Sequence, residues 1–194
     1  MEKPAKPELN TLSFKTPKEL EKWLAKNHKT SGGMWLRFFK KDSGEKTITY
    51  DEALDEFLCY GWIDGQLKKF DDSSWIRKFT PRGPKSTWSK RNTEHIARLG
   101  ALGKMKQPGL AEVEKARADG RWNKAYDSPG NMKIPADFLK ELSKNKSAKA
   151  FFESLNRANK YAIAWRLQTA SKPETREKRK KSILEMLSKG QKFH

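Results

Sequence analysis

A chain of 194 residues with 35% hydrophobic content has room for one compact domain, or a main domain with a smaller attachment, and excludes a second full-sized core. Its apolar residues fall in short periodic runs, none near the roughly 18 consecutive apolar residues that a membrane span needs. Lys and Arg number 42 against 24 Asp and Glu, so the net charge is +18. Such a field favours nucleic acid, anionic lipid or acidic partners, although charge alone specifies only non-specific binding and also serves solubility.

The opening MEKPAKPELNTLSF carries prolines and mixed charge where a secretory signal needs an apolar stretch, so a cytoplasmic protein is expected. Residues 1–12 offer no apolar face and read as a flexible leader. After Thr16-Pro17, Leu20, Trp23 and Leu24 fall at i, i+3, i+4 and predict a short helix. GGMWLRFFKK reads as a strand, with Met34, Leu36 and Phe38 on one face and Trp35, Arg37 and Phe39 on the other. Both faces are largely apolar, which places it centrally in a sheet. Asp42-Ser43-Gly44 supplies a turn, and KTITY is its expected returning strand.

Thr49-x-x-Glu52 has the form of a capping box for the helix DEALDEFLCYGW. QLKKF and WIRKF flank DDSS and predict a hairpin with a four-residue loop. After the Pro81 and Pro84 connection, Ser89 is a candidate N-cap for KRNTEHIARLGALGKM, which carries Ile96, Leu99 and Leu102 on one side. LAEVEKARADG follows with Leu110, Val113 and Ala116 inward and Gly120 as its stop. The loop at 126–130 is the best boundary in the chain, and every later signal is helical. Phe151, Phe152 and Leu155 are expected to be buried, and Ala158, Tyr161, Ala162 and Trp165 form one stripe. Pro173 opens a last helix that ends at Gly190. The expected fold is α+β: a small, mainly antiparallel sheet with packed helices over 13–130, then a helical C-terminal portion over 131–194 that packs on it.

Chemistry-bearing residues are sparse. Cys59 is the single cysteine, on an apolar helix, and reads as a buried, inert thiol. His28, His95 and His194 have no ligand spacing, so no metal site is expected. GWIDG and GALGK lack the spacing of phosphate-binding loops, there is no G-x-S-x-G elbow, and no cofactor is expected. The stretch CYGWIDG nevertheless concentrates polar and aromatic groups between glycines. Tyr60 and Trp62 flank Asp64 and would raise its pKa, which suits a general base; the alternative is a carboxylate accepting hydrogen bonds in a turn. Arg82, between Pro81 and Gly83, is held for a bidentate contact with a carboxylate or phosphate, or for an ion pair with Asp64. Trp88 offers a stacking surface and Asn92 a polar rim. Tyr60, Trp62, Asp64, Arg82, Trp88 and Asn92 are therefore the candidate ligand pocket, for a small anionic ligand or a protein partner. Arg176, Arg179 and Lys180 on the last helix are the alternative, a nucleic-acid surface.

YGWIDG, the block FTPR-x-x-x-S-x-WS-x-x-N, the block G-x-M-x-x-x-GL-x-x-V-x-x-A-x-x-DGRW and the terminal ETR-x-x-R together resemble the YdeI/OmpD-associated family, labelled bacteriocin-protection proteins in bacteria. The resemblance runs from about Phe14 to Gly190. It implies a non-catalytic stress or bacteriocin-protection protein and, through the label, an association with a porin of the envelope. It carries over no catalytic residues, and +18 repels cationic peptides rather than sequestering them.

Overall fold

The computed structural model describes residues 8–128 and 130–193. The expected leader lies outside the described residues as far as residue 7. Within the described part it is not wholly free, because Thr11–Leu12 pairs into a sheet as β1. The chain divides into two compact units, one of residues up to 86 with 92–122, the other of 87–91 with 123–193 among the described residues.

In the first unit α1 (Pro17–Asn27) starts at Thr16, whose side chain accepts from the Glu19 backbone N–H, and it buries Leu20 and Leu24. β2 (Met34–Phe39) follows. Its alternation is complete: Met34, Leu36 and Phe38 are buried, while Trp35, Arg37 and Phe39 are only half-buried. The strand is interior in the order β1-β2-β4-β3, as its composition predicts, but its second apolar face is not covered like the first. KTITY does not return as a strand. Ile48 is buried and donates its N–H to the Phe14 carbonyl, and at Thr49 the capping box closes, its side chain accepting from Glu52 while the Glu52 carboxylate accepts from the Thr49 N–H. The helix start wins because it satisfies two orphan backbone donors at once.

α2 (Tyr50–Cys59) buries Ala53, Leu54, Phe57, Leu58 and Cys59. β3 (Trp62–Lys69) and β4 (Ser74–Pro81) form the predicted hairpin around residues 70–73. β2–β4 and β3–β4 are antiparallel, and β1–β2 is parallel. Helices cover one face of this sheet: the Phe57 ring stacks on Phe79 at 3.9 Å and on Trp62 at 5.6 Å between centroids, with Trp23 edge-on to Trp62 at 6.0 Å.

α3 (Lys90–Ala101) buries Ile96 and Leu99, but Leu102 falls past its end and is 58% exposed. α4 (Gln107–Ala118) starts before Gly109 rather than after it, buries Gly109, Val113 and Ala116, and leaves Leu110 exposed. Gly109 packs on the end of α2 so closely that a Cβ there would lie 2.3 Å from the Cys59 carbonyl oxygen.

The second unit is helical. α5 (Ala136–Leu142), α6 (Lys146–Ser154), α7 (Arg157–Gln168) and α8 (Pro173–Ser188) enclose Phe138, Leu142, Ala148, Phe152, Leu155, Ile163, Leu167, Ile183 and Leu187. The stripe expected on α7 is not its buried face. Asn159, Ile163, Ala164 and Leu167 are buried, whereas Ala158 is exposed and Tyr161, Ala162 and Trp165 are half-buried. Small and aromatic residues on α7 give nearly equal apolar weight all round, so periodicity alone does not pick the face. Residues 87–91 join this unit through a parallel bridge: the Tyr126 N–H donates to the Trp88 carbonyl and the Lys90 N–H to the Tyr126 carbonyl.

Two glycines test this packing. Gly109→Ala should lower unfolding free energy by about 2 kcal/mol or more, because the methyl meets backbone rather than a flexible side chain. Gly100→Ala, on α3 with open space around it, should raise it by about 0.5 kcal/mol. Urea denaturation of both variants checks the pair.

Candidate functional site

The residues of the predicted pocket fall in both units: Tyr60, Trp62, Asp64, Arg82 and Asn92 in the first and Trp88 in the second. Trp62 is a core side chain, 1% exposed, between Phe57 and Trp23. Tyr60 is buried against His28, and its phenol pKa is raised by burial, partly offset by Lys106. Asp64 accepts from the Tyr50 hydroxyl at 2.9 Å and pairs with Arg77 Nη2 at 2.7 Å, and the Arg77 guanidinium lies 4.7 Å from the Tyr50 ring centroid. The ion pair anticipated between Asp64 and Arg82 is thus made with Arg77, which lies on the same strand face two positions along β4 from the Phe79 opposite Asp64. Arg82 is buried beyond β4, its N–H donating to the Gly61 carbonyl, and lines a cleft of about 270 Å³ with Pro84, Glu112, Lys115, Asp119 and Arg121. Asn92 is buried on α3, and Trp88 is a buried residue of the second unit.

Cys59 is buried, and its thiol pKa is pushed up to about 12, first by burial and then by the carboxylates of Glu56 and Asp55. The same surroundings hold a cluster that the sequence did not single out. Asp55 accepts from His95 Nδ1 at 2.6 Å and from Arg98 Nη2 at 2.7 Å, tying α2 to α3.

On α8 the three cations of the alternative surface have structural partners. Arg176 makes a two-bond contact with Asp137 at 2.6 and 2.7 Å, and Lys180 pairs with Glu177 at 2.9 Å and reaches Asp137 at 3.6 Å. Arg179 Nη1 donates to the Arg166 carbonyl at 2.8 Å and to Thr169 Oγ1 at 3.4 Å, which satisfies an orphan carbonyl near the end of α7.

A stripe of α8 that includes Arg179 but neither Arg176 nor Lys180 lines a cleft. Thr175, Lys178, Arg179, Ser182 and Ile183 fall at i, i+3, i+4, i+7 and i+8 and line one stripe, as helical spacing requires. With Arg166 of α7 and Phe193 they enclose a cleft of about 290 Å³. The Phe193 backbone is held by its N–H bond to Asn159 Oδ1, and its ring lies 4.2 Å under the Arg166 guanidinium. Three cations and two hydroxyls converge there over an apolar floor. Among the described residues no carboxylate lines the cleft, and Arg166, Lys178 and Arg179 have no ion-pair partner there. The Thr175-to-Ser182 spacing was visible in the sequence; the contributions of Arg166 and Phe193 arise only when α7 and the chain end meet α8.

An α+β chain with a four-stranded sheet unit, a helical unit and a cationic cleft in the latter is the class of protein defined here. The chain belongs to the family described as domain of unknown function (DUF8412), whose family model matches residues 12–112, just over half of the chain. Residues 131–190 match the family model described as bacteriocin-protection, YdeI or OmpD-associated, the family that the sequence blocks resemble. The match to that family rests on the helical segment, while YGWIDG and FTPR fall within the first matched segment. No curated protein and no solved structure matches the chain.

Two measurements follow from these environments. The Cys59 thiol should react with a colorimetric thiol reagent at the rate of opening or unfolding, and promptly only in denaturant. Asp137 has its carboxyl held down to about 2, first by the hydrogen bonds from Arg176, against an ordinary value of 3.8. A depressed carboxyl gives stability that is present above the unfolded pKa and lost as pH falls through the folded one. Wild-type stability relative to Asp137→Asn should therefore shrink between about pH 4 and pH 2; the pair is partly exposed and screened, so the difference above pH 5 should be about 1 kcal/mol or less. Chemical denaturation of both proteins across this range reads it.

Proposed function

We propose that this protein is a non-catalytic binding protein that holds a small amphiphilic anion, a phosphate or carboxylate group bearing an apolar tail, in the cleft between α7 and α8. The observation that carries this reading is the convergence of Arg166, Lys178 and Arg179, none neutralised by a carboxylate among the described residues, on a cleft floored by Ile183 and Phe193. The anion head would take charge-assisted hydrogen bonds from the two guanidinium groups and the ammonium, with Thr175 and Ser182 hydroxyls alongside. Its tail would replace water over Phe193 and Ile183. Among the described residues the lining offers cations and hydroxyls rather than a carboxylate or a histidine base, which supports retention of a ligand rather than its conversion. The protective role in the family's description would then be exercised through the bound anion.

Calorimetric titration with octyl phosphate, inorganic phosphate and octyltrimethylammonium tests the reading. Octyl phosphate should bind most tightly, inorganic phosphate weakly and the cation not at all. Arg166→Ala and Lys178→Ala should each weaken octyl phosphate binding about tenfold, and Ser182→Trp should fill the cleft and abolish binding. Equal octyl phosphate binding by wild type and Ser182→Trp would overturn the site.

A further inference from the structure

A second surface, in the first unit, is built on different observations. One face of the sheet is covered by helices, through Phe57 on Phe79 and Trp62. On the opposite face, cross-strand register sets Trp35 against Lys78, Arg37 against Ile76, Phe39 against Ser74 and Lys68 against Ile76. Trp35 and Phe39 are half-buried, Lys68 is exposed, and Phe70 at the hairpin end is 49% exposed. Lys68 Nζ stands 4.9 Å from the Trp35 ring centroid, and the Arg37 guanidinium lies 4.4 Å from the centroids of both Phe39 and Phe70. Arg37 is oriented by Ser74 and Asp71. Lys68 and Lys78 have no carboxylate partner among the described residues, and the Asp71 carboxylate is bonded to Arg37.

Aromatic rings alternating with cations on the open face of a four-stranded sheet provide two things at once: stacking area for planar bases and charge for the phosphates between them. Trp35 and Phe39 are four residues apart on one strand, about 13 Å, which accommodates two or three unstacked bases. A duplex hides its base faces and offers only its phosphates, so it can use the lysines but not the rings. The excess of 42 Lys and Arg over 24 Asp and Glu supplies the long-range attraction, and the aromatic pattern supplies the preference for single strands.

We propose that the open sheet face, through Trp35, Phe39 and Phe70 with Arg37, Lys68 and Lys78, binds single-stranded nucleic acid. A base entering over Trp35 displaces Lys68 from the ring, and the adjoining phosphate then meets the Lys68 and Lys78 ammonium groups.

Fluorescence anisotropy of the full chain with a labelled oligothymidylate of about 12 nucleotides, within the usual range of single-strand site sizes, tests this against a duplex of equal length and against heparin. The single strand should bind at least tenfold more tightly than the duplex. Phe70→Ala, at an exposed position, should weaken it about fivefold or more with an unchanged melting temperature, and Trp35→Phe should retain binding that Trp35→Ala loses. Lys68→Glu with Lys78→Glu should also lower the salt dependence of binding by about two phosphate contacts. Arg166→Ala with Lys178→Ala should leave it unchanged, which keeps this proposal separate from the cleft in the helical unit. Absence of binding at low salt overturns the proposal. So does equal affinity for single strand, duplex and heparin with Phe70→Ala unchanged, which would reduce the surface to bare charge. Loss of binding in the Arg166→Ala, Lys178→Ala variant would assign it to the helical unit and overturn it as well.

Discussion

The close approach of two backbones, where α4 meets the end of α2, fixes the first unit. The Lys106 N–H donates to the Cys59 carbonyl, Gly109 packs against that same carbonyl, and Gly61 lies against the Pro108 carbonyl with φ +75°. A side chain at residue 109 would overlap the Cys59 carbonyl, and at residue 61 it would have to adopt a backbone conformation that only glycine takes without strain. This contact ends α2 after its buried run and turns the chain so that Trp62 enters β3 with its ring against Phe57 and Trp23. The CYGWIDG stretch is therefore a joint. Cys59 contributes a carbonyl and a shielded thiol, Gly61 the turn, and Trp62 the core, while Asp64 emerges one strand step later to meet Arg77 and Tyr50.

The net charge acquires meaning only after the ion pairs are placed. Asp55, Asp64, Asp71, Asp127 and Asp137 are each occupied by an arginine, lysine or histidine. Exposed pairs of this kind contribute little to stability, but they remove cations from the field that a partner would meet. Arg37, Arg77, Arg98 and Arg176 are thereby largely neutralised, whereas Lys68 and Lys78 on the sheet, and Arg166 and Lys178 on the helices, have no carboxylate partner among the described residues. A basic run in sequence, such as residues 176–181, is thus a poor guide to where an anion would bind. Two of its cations are spent on Asp137 and Glu177.

What could be read from sequence divides along the same line between local and non-local physics. The capping box at Thr49, the hairpin around residues 70–73, and the stops at Gly120 and Gly190 are written in a few adjacent residues, and they were legible. KTITY was misread because its β-branched residues compete with a cap that lies only at its fourth position. The face of α7 was misread because Ala158, Tyr161, Ala162 and Trp165 look as apolar as the buried set around Ile163. In the candidate pocket the strand direction of Asp64 could be anticipated, but its partner could not. Register sets whether Arg77 or Arg82 lies within reach, and register is a property of the paired strands. The cationic cleft required two helices and the chain end to be placed together, which periodicity of α8 alone cannot supply.

The two segments matched by different family models carry the two proposed binding surfaces, and these differ physically. The segment 12–112 contains the open sheet face, where anion attraction is spread over rings and lysines along a strand. The segment 131–190 holds nearly all of the cleft, where attraction is concentrated on one small volume with an apolar floor. An extended polyanion fits the first geometry because it can satisfy several separated cations in succession; a small anion fits the second because its charge can be reached by three cations at once. The label attached to the helical segment consequently says nothing by itself about the sheet, and the activity of the whole chain has to be argued one surface at a time.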